Sequence, residues 1–144
     1  MVDNADDAGV MAWSEALTAR RVLFSPSGTI AEGFVVERDR IVRRTSTASE
    51  PLIPLADVEL TGRHLLNNVI AAAAVASIAG VTPQAMSDAL HGFRGLEHVM
   101  EPVAQVGGVR FVNDSKATNV EAARRSIESF TQVVATGLVT SGAT

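Results

Sequence analysis

The residues VRFVNDSKATNVEAARRSIES, numbered 109–129, place a short strand, a polar loop and a helix in succession. Gly107-Gly108 precedes this strand, and because glycine can adopt the positive φ values of a tight turn, it predicts a hairpin with residues 102–106. Apolar residues recur at helical spacing over 120–129, and Asn119 is a suitable N-cap. Loops that join a strand to a helix line the ligand-binding edge of α/β sheets. The stretch therefore predicts an α/β fold with a site in its loop.

The rest of the chain predicts a small sheet followed by helices. Residues 63–79 predict an alanine-rich helix. It is apolar nearly all round, which favours burial on every side. Gly80 suits the position after it, and Thr82-Pro83 suits the start of the next helix. The predicted elements are a helix over 9–19, a strand over 21–25, a hairpin of 33–37 with 40–44, a loop over 45–54, helices over 63–79 and 83–91, a strand over 131–134 and a frayed end over 137–144.

Composition excludes several classes of protein. The chain has 144 residues and a net charge of −4, which predicts about one domain and argues against a basic nucleic-acid surface. It is 47% hydrophobic and 19% charged, so we expect a folded chain. The absence of cysteine excludes disulfides and thiolate metal sites, and the three histidines show no ligand spacing, so we predict no metal site. No apolar run reaches about 20 residues and the first residues do not form a signal peptide, so we expect a soluble cytoplasmic protein without a membrane partner.

The loop after residue 112 carries the strongest candidate chemistry. Lys116 is the only lysine among twelve basic residues, and its mobile ammonium suits a phosphate oxygen. Asp114 offers acceptor oxygens for hydroxyl groups such as those of a ribose, and Ser115 and Thr118 can donate to phosphate. The structural alternative is that Asp114 and Asn119 cap the turn and the helix while Lys116 is solvated.

Three further polar clusters are weaker candidates. His64 and Asn68 are four apart on a helix and share a face, where Asn68 could pair with an adenine edge; alternatively His64 caps the helix and Asn68 is merely exposed. His98 is typical of a packed or hydrogen-bonded loop histidine rather than a catalyst. The adjacent carboxylates in Asn4-Ala5-Asp6-Asp7 could suit a divalent ion or could form an ordinary turn after a strand.

Together these motifs resemble the Mur ligase family. The resemblance covers about residues 1–130, and the loop motif is the most informative because sister ligases differ there. It is most similar to the members that add D-glutamate during peptidoglycan synthesis. In family order, the motifs are Asn4-Ala5-Asp6-Asp7, Gly62-Arg63-His64 with Asn68, Phe93-Arg94-Gly95-Leu96-Glu97-His98, and Asn113-Asp114-Ser115-Lys116-Ala117-Thr118-Asn119.

The resemblance implies a partial α/β architecture. Residues 1–95 would be the C-terminal part of the central ATP-binding domain, a sheet with helices. Residues 96–144 would be the N-terminal part of a Rossmann-like C-terminal domain. We therefore expect two parts of different origin within a chain whose length alone predicts one domain.

The resemblance also implies an ATP-dependent amide ligase that uses Mg²⁺. In the complete enzyme, UDP-N-acetylmuramoyl-L-alanine would be activated as an acyl phosphate and attacked by the amine of D-glutamate. By family analogy Asn68 contacts adenine, Asp114 the ribose hydroxyls and Lys116 the phosphates as the catalytic residue. His64, Ser115 and Thr118 are expected at the same nucleotide.

Several features depart from the family. No G-x-x-x-x-G-K-[ST] phosphate loop occurs, and the single lysine excludes the second, carbamylated one. Leu65 stands where the family has asparagine, and Val99 where it has arginine. We therefore expect a truncated chain that is inactive and prone to self-association alone. The alternatives are a non-catalytic nucleotide-binding remnant, a pseudo-ligase without binding, and a sister ligase acting on folate, against which the Asn-Asp-Ser-Lys string argues.

Overall fold

A computed structural model describes residues 1–60 and 62–130 of the chain. The chain divides into two compact units, one of Met1–Leu96 and one beginning at Glu97.

The first unit is built on a five-stranded mixed sheet. Its strands lie in chain order, β1-β2-β3-β4-β5. The first three run parallel, and the last two pairings are antiparallel. The strands are β1 (Val2–Asn4), β2 (Val22–Ser25), β3 (Gly33–Glu37), β4 (Arg40–Arg44) and β5 (Ser49–Pro54). With its helices, this sheet confirms an α/β architecture for the unit.

The predicted hairpin is confirmed with its bounds. Strands β3 and β4 pair from Glu37↔Arg40 back to Gly33↔Arg44. Arg38 begins the two-residue turn with φ 53°, the left-handed conformation that such hairpin turns require. Valine, isoleucine and phenylalanine dominate the buried positions of both strands, as expected for residues that pack well on a pleated surface.

The loop predicted over residues 45–54 is wrong in its second half, because Ser49–Pro54 forms β5. Serine and proline disfavour a strand locally, but the neighbouring β4 supplies a hydrogen-bonding partner. The register shifts at Ile41/Val42, which accommodates Pro51 opposite β4. Leu52 and Ile53 of this strand are buried in the core.

Three helices accompany the sheet: α1 (Ala8–Ser14), α2 (Arg63–Ile78) and α3 (Pro83–Leu90). A short 3-10 turn, Leu55–Asp57, follows β5. The predicted helix over 9–19 is therefore confirmed but ends earlier than expected. Helix α3 begins where Thr82-Pro83 predicted, since the Thr82 hydroxyl accepts from the Ala85 amide and Pro83 stands in the first turn. Gly80 has φ 82°, as predicted for the residue after α2.

The core lies between the sheet and the inner face of α2. Ile70 and Ala74 are fully buried there beside sheet residues such as Ile41. The expectation that α2 is buried all round is wrong, because Val75 is 56% exposed and Ile78 is 58% exposed. Only one face of the helix meets the sheet within the first unit.

The connection between β2 and β3 is unusually short for parallel strands. Arg44 holds it by donating from Nη1 to the carbonyls of Gly28 (3.1 Å) and Ile30 (2.6 Å). Its Nε also donates to Glu37 at 2.8 Å. This hydrogen bond from Arg44 is the main reason that the pKa of Glu37 lies below its ordinary value. One guanidinium therefore connects the strand pair to the loop that precedes it.

The second unit contains one hairpin and one helix in its described part. Strand β6 (Glu101–Val106) pairs antiparallel with β7 (Val109–Asn113), and α4 spans Val120–Glu128. Gly107 and Gly108 have φ 57° and 81°, which confirms the predicted turn. The strand predicted over 131–134 and the frayed end over 137–144 lie outside the described residues, and the Rossmann-like character of this unit stays a prediction.

Among residues 1–60 and 62–130, every helix is too short or too polar to span a bilayer.

Candidate functional site

The loop over residues 113–119 connects β7 to α4 and is ordered around Asp114. One carboxylate oxygen of Asp114, Oδ1, accepts from the backbone N–H of Met100 at 3.1 Å. The other, Oδ2, accepts from the Ser126 hydroxyl on α4. The Asp114 carbonyl accepts from the Ala117 N–H at 3.0 Å and closes the turn. Asp114 therefore connects the strand before the loop, the helix after it and the chain near residue 100.

The other predicted loop residues are accessible. Lys116, Ser115 and Thr118 are all exposed. The Lys116 backbone N–H donates to the carbonyl of His98 at 3.2 Å, and the Thr118 N–H donates to the carbonyl of Lys116 at 2.9 Å. The loop backbone is thus held internally while three side chains capable of donating to phosphate face the surface.

The structural alternative for this loop is partly confirmed. The Asn119 side chain accepts from the Ala122 N–H at 2.8 Å and caps α4, as predicted. Asp114 closes the turn through its carbonyl, whereas its carboxylate contacts Met100 and Ser126. An ionised carboxylate can accept about four hydrogen bonds, so Asp114 retains acceptor capacity for an added hydroxyl group.

Four residues of this site were not predicted from the sequence as site residues. His98 and Met100 have φ 66° and 48°, a left-handed conformation that costs free energy outside glycine. Glu101 supports this bend by accepting from the His98 N–H at 2.9 Å. Asn113 donates from Nδ2 to Nδ1 of His98 at 2.8 Å. The Glu101 contact is local, three residues from His98. The contacts of Asn113 and Asp114 with this bend join residues 12–15 positions apart, so a local pattern does not indicate them.

A series of ion pairs lies along the exposed side of α4. Hydrogen bonds from Arg124, and then from Arg125, lower the pKa of Glu121 to about 2. Glu128 also accepts from Arg124. Such exposed pairs one helical turn apart stabilise a helix weakly. We therefore assign these charges to helix stability rather than to the site.

His64 and Asn68 lie in the first two turns of α2 in the first unit. Their spacing places them on one face, as predicted. Asn68 is exposed and His64 is half-buried. The alternative that His64 caps the helix is wrong, since Gly62 occupies the N-cap position. Among the described residues, the buried Nδ1 of His64 has no hydrogen-bond partner, which leaves it available to a ligand or water.

The motif Asn4-Ala5-Asp6-Asp7 begins with the last residue of β1, at the carboxyl end of the parallel strands. Asp6 accepts from Ser25 Oγ (2.6 Å), from Ser27 N–H (3.0 Å) and Oγ (2.8 Å), and from Thr29 Oγ1 (3.3 Å). Partial burial opposes ionisation of Asp6, but these hydrogen bonds outweigh it and hold its pKa below the ordinary value. Asp7 caps α1 by accepting from the amides of residues 9 and 10.

These contacts favour the turn rather than a divalent-ion site at the motif. The carboxylates of Asp6 and Asp7 already accept hydrogen bonds from the protein. Within the two described stretches, no group of three or more histidine, aspartate or glutamate side chains is placed to hold a metal ion. The described residues therefore do not fit Mg²⁺ on their own.

Comparison with known proteins identifies the segment. Over 132 residues the chain is 42% identical to a UDP-N-acetylmuramoylalanine–D-glutamate ligase from Acidobacterium capsulatum, a match covering 90% of the chain. The chain is similar to one segment of a Mur ligase. Enzymes of the same name from Geobacillus kaustophilus and Desulfitobacterium hafniense are 38% and 36% identical over 129 and 131 residues, which are 90% and 91% of the chain.

The match is confined to one segment of each relative. The chain spans 29%, 28% and 29% of the lengths of these three ligases. No family model matches the chain. The comparisons confirm the resemblance of this chain to the D-glutamate-adding Mur ligases, whereas the roles of its individual residues stay predictions.

Proposed function

We propose that this chain is a segment of an ATP-dependent ligase that adds D-glutamate to UDP-N-acetylmuramoyl-L-alanine. The observation that carries the proposal is its similarity, over nine-tenths of its length, to ligases of that name. In that reaction the alanyl carboxylate takes a phosphoryl group from ATP. The amine of D-glutamate then displaces the phosphate and forms the amide. A cytoplasmic location belongs to the same proposal.

Within that enzyme, we assign nucleotide binding to the residues of this chain. Lys116 is the catalytic residue, because an exposed ammonium on a held loop can neutralise charge on a transferring phosphoryl group. Asp114 accepts from ribose hydroxyls through its remaining lone pairs, and Ser115 and Thr118 donate to phosphate. Asn68 pairs with adenine, and His64 Nδ1 is a further polar contact.

The resemblance implies that the complete enzyme uses Mg²⁺. The described residues lack a cluster that would hold it. In this proposal residues 1–95 are the end of the central ATP-binding domain and residues 96–144 the start of the C-terminal domain. The division of the chain after Leu96 is compatible with that assignment.

The test is a calorimetric titration of the 144-residue chain with ADP at millimolar concentration. Hydrogen bonds to charged groups contribute about 1.5–3 kcal/mol, so Lys116→Ala should weaken ADP binding about ten- to a hundredfold. Arg43→Ala is the matched control, because Arg43 is exposed in the first unit and its removal changes the net charge equally. Absence of ADP binding, or an equal affinity in Lys116→Ala and Arg43→Ala, would contradict the assignment.

A pseudo-ligase without turnover is the second candidate. It is favoured by Leu65, which is only 8% exposed and so packs where the family has a polar asparagine. It is also favoured by Val99, because valine can neither pair with phosphate nor stack as a guanidinium does. Because the segment alone is expected to be inactive in either case, phosphate release is measured on a complete ligase of this kind in which the segment replaces the corresponding residues, with ATP, D-glutamate and the UDP-linked substrate. Turnover contradicts the pseudo-ligase, and ADP binding without turnover supports a nucleotide-binding remnant.

A further inference from the structure

The side chain of Asn113 uses both of its N–H donors and one lone pair of its oxygen within the second unit. Its Oδ1 accepts from the Ser115 backbone N–H at 3.1 Å. Its Nδ2 donates to Glu101 Oε2 at 3.3 Å and contacts His98 Nδ1 at 2.8 Å. A backbone N–H can only donate and a carboxylate can only accept. Ser115 and Glu101 therefore fix which end of the amide is oxygen and which is nitrogen.

This orientation determines the protonation of the His98 ring. The amide nitrogen of Asn113 carries two hydrogens and cannot accept, so Nδ1 of His98 must accept and must be unprotonated. A neutral imidazole then carries its hydrogen on Nε2. Glu101 Oε2 lies 3.6 Å from Nδ1 but already accepts from the His98 N–H and from Asn113. The His98 side chain is 52% exposed.

The backbone beneath the ring is also held in place. The His98 N–H donates to Glu101 (2.9 Å), and its carbonyl accepts from the Lys116 N–H (3.2 Å). Two residues further, the Met100 N–H donates to Asp114 (3.1 Å). These bonds offset the cost of the left-handed conformation at His98 and Met100. The backbone that carries the ring is therefore held in place, and the tautomer of the ring is fixed as well.

We propose that Asn113 is a positioning residue that holds His98 in the Nε2–H tautomer, and that His98 thereby donates to an acceptor atom of a bound nucleotide. The donor role rests on the proposed function, whereas the tautomer assignment does not. A preset donor lowers the ordering cost of binding, since neither the ring nor its proton has to rearrange when the ligand arrives.

The tautomer is measured by long-range proton–nitrogen correlation NMR on the whole chain with labelled histidine. The spectrum is recorded at pH 8, above the range in which imidazoles ordinarily titrate. His98→Gln assigns the His98 signals among those of the three histidines. We expect a protonated Nε2 and an unprotonated Nδ1 in the wild-type chain. A protonated Nδ1 in that chain would overturn the proposal without reference to any variant.

Asn113→Asp replaces the amide that donates to Nδ1 of His98 by a carboxylate of the same size. A carboxylate next to Nδ1 can only accept, so Nδ1 should become protonated, whereas Asn113→Ala should leave a mixture of tautomers. Asn119→Asp is the matched control, because aspartate caps a helix as well as asparagine does and residue 119 caps α4 instead of contacting His98. An unchanged His98 pattern in Asn113→Asp overturns the positioning role.

Titration with ADP tests the donor role separately. Addition of ADP should shift the His98 Nε2–H signal, and Asn113→Asp should weaken ADP binding about five- to tenfold, the effect of one hydrogen bond. If ADP binds and the His98 signal does not move, the donor role is wrong while the proposed function stands. If no ADP binds, the proposed function and the donor role both fail, and the tautomer result still decides the role of Asn113.

Discussion

Replacement of Gly33 by alanine should disrupt the short connection that carries the Ser25–Thr29 turn. Gly33 begins β3 with φ 135°, a conformation that residues with a Cβ rarely adopt. An added Cβ would lie 2.4 Å from the carbonyl oxygen of Leu23 and 2.7 Å from Ile30 Cδ1. The isoleucine end can move, but the Leu23 carbonyl belongs to β2 at the centre of the parallel pairing and cannot move without disturbing it.

Two costs combine in this variant. Backbone strain of this kind costs about 1–3 kcal/mol, and overpacking against fixed atoms costs about 1–3 kcal/mol. Their sum is about 2–6 kcal/mol, out of the total of about 5–15 kcal/mol that a domain typically has. Gly80→Ala is the matched control, because Gly80 also has a positive φ, 82°, but a Cβ there meets nothing within 4 Å. It should cost only about 1–2 kcal/mol.

Urea denaturation followed by far-ultraviolet circular dichroism measures both variants against the wild-type chain. We expect a lower midpoint for Gly33→Ala than for Gly80→Ala, with the same denaturant dependence for all three chains. Equal midpoints for the two variants would refute the reasoning, since only the clash with Leu23 distinguishes them.

Two predictions concern titration. Because the folded protein lowers the pKa of Asp6, the contribution of this carboxylate to stability is complete above its ordinary pKa of 3.8 and is lost as pH falls through the folded value. Asp6→Asn should therefore lower the free energy of unfolding by about 1–3 kcal/mol at pH 7. In urea denaturation, the difference between this variant and the wild-type chain should shrink by pH 3. Glu121, whose pKa is held near 2 by Arg124 and then Arg125, should titrate at higher pH in 1 M salt, because salt screens exposed charges; a carboxyl carbon titration with a salt-independent midpoint would contradict this.

The elements that the sequence predicted well are those with local causes. The hairpin turns, the caps at Thr82 and Asn119, and the residue after α2 were confirmed because each depends on neighbours in the chain. The strand over Ser49–Pro54 was missed because its serine and proline disfavour a strand until β4 provides a partner. The burial of α2 was overestimated because composition cannot say how many of its faces meet another element.

In the candidate site, too, some features were predicted from the sequence and others depend on tertiary contacts. Asp114, Lys116 and Asn68 were predicted from residue type, loop position and resemblance, and their ligand contacts remain proposals. The left-handed conformations of His98 and Met100, and their support by Asn113 and Glu101, were not predicted. Those features require contacts between β6, β7 and the segment before them.

The linear sequence determined the turn positions, the helix caps and the family, because these depend on residue identity within a few positions or on motif order. Only the tertiary structure decided the pairing of β5, the exposed face of α2 and the direction of the Asn113 amide. Each of these depends on groups distant in the chain, and a side-chain amide has no preferred orientation until such groups surround it.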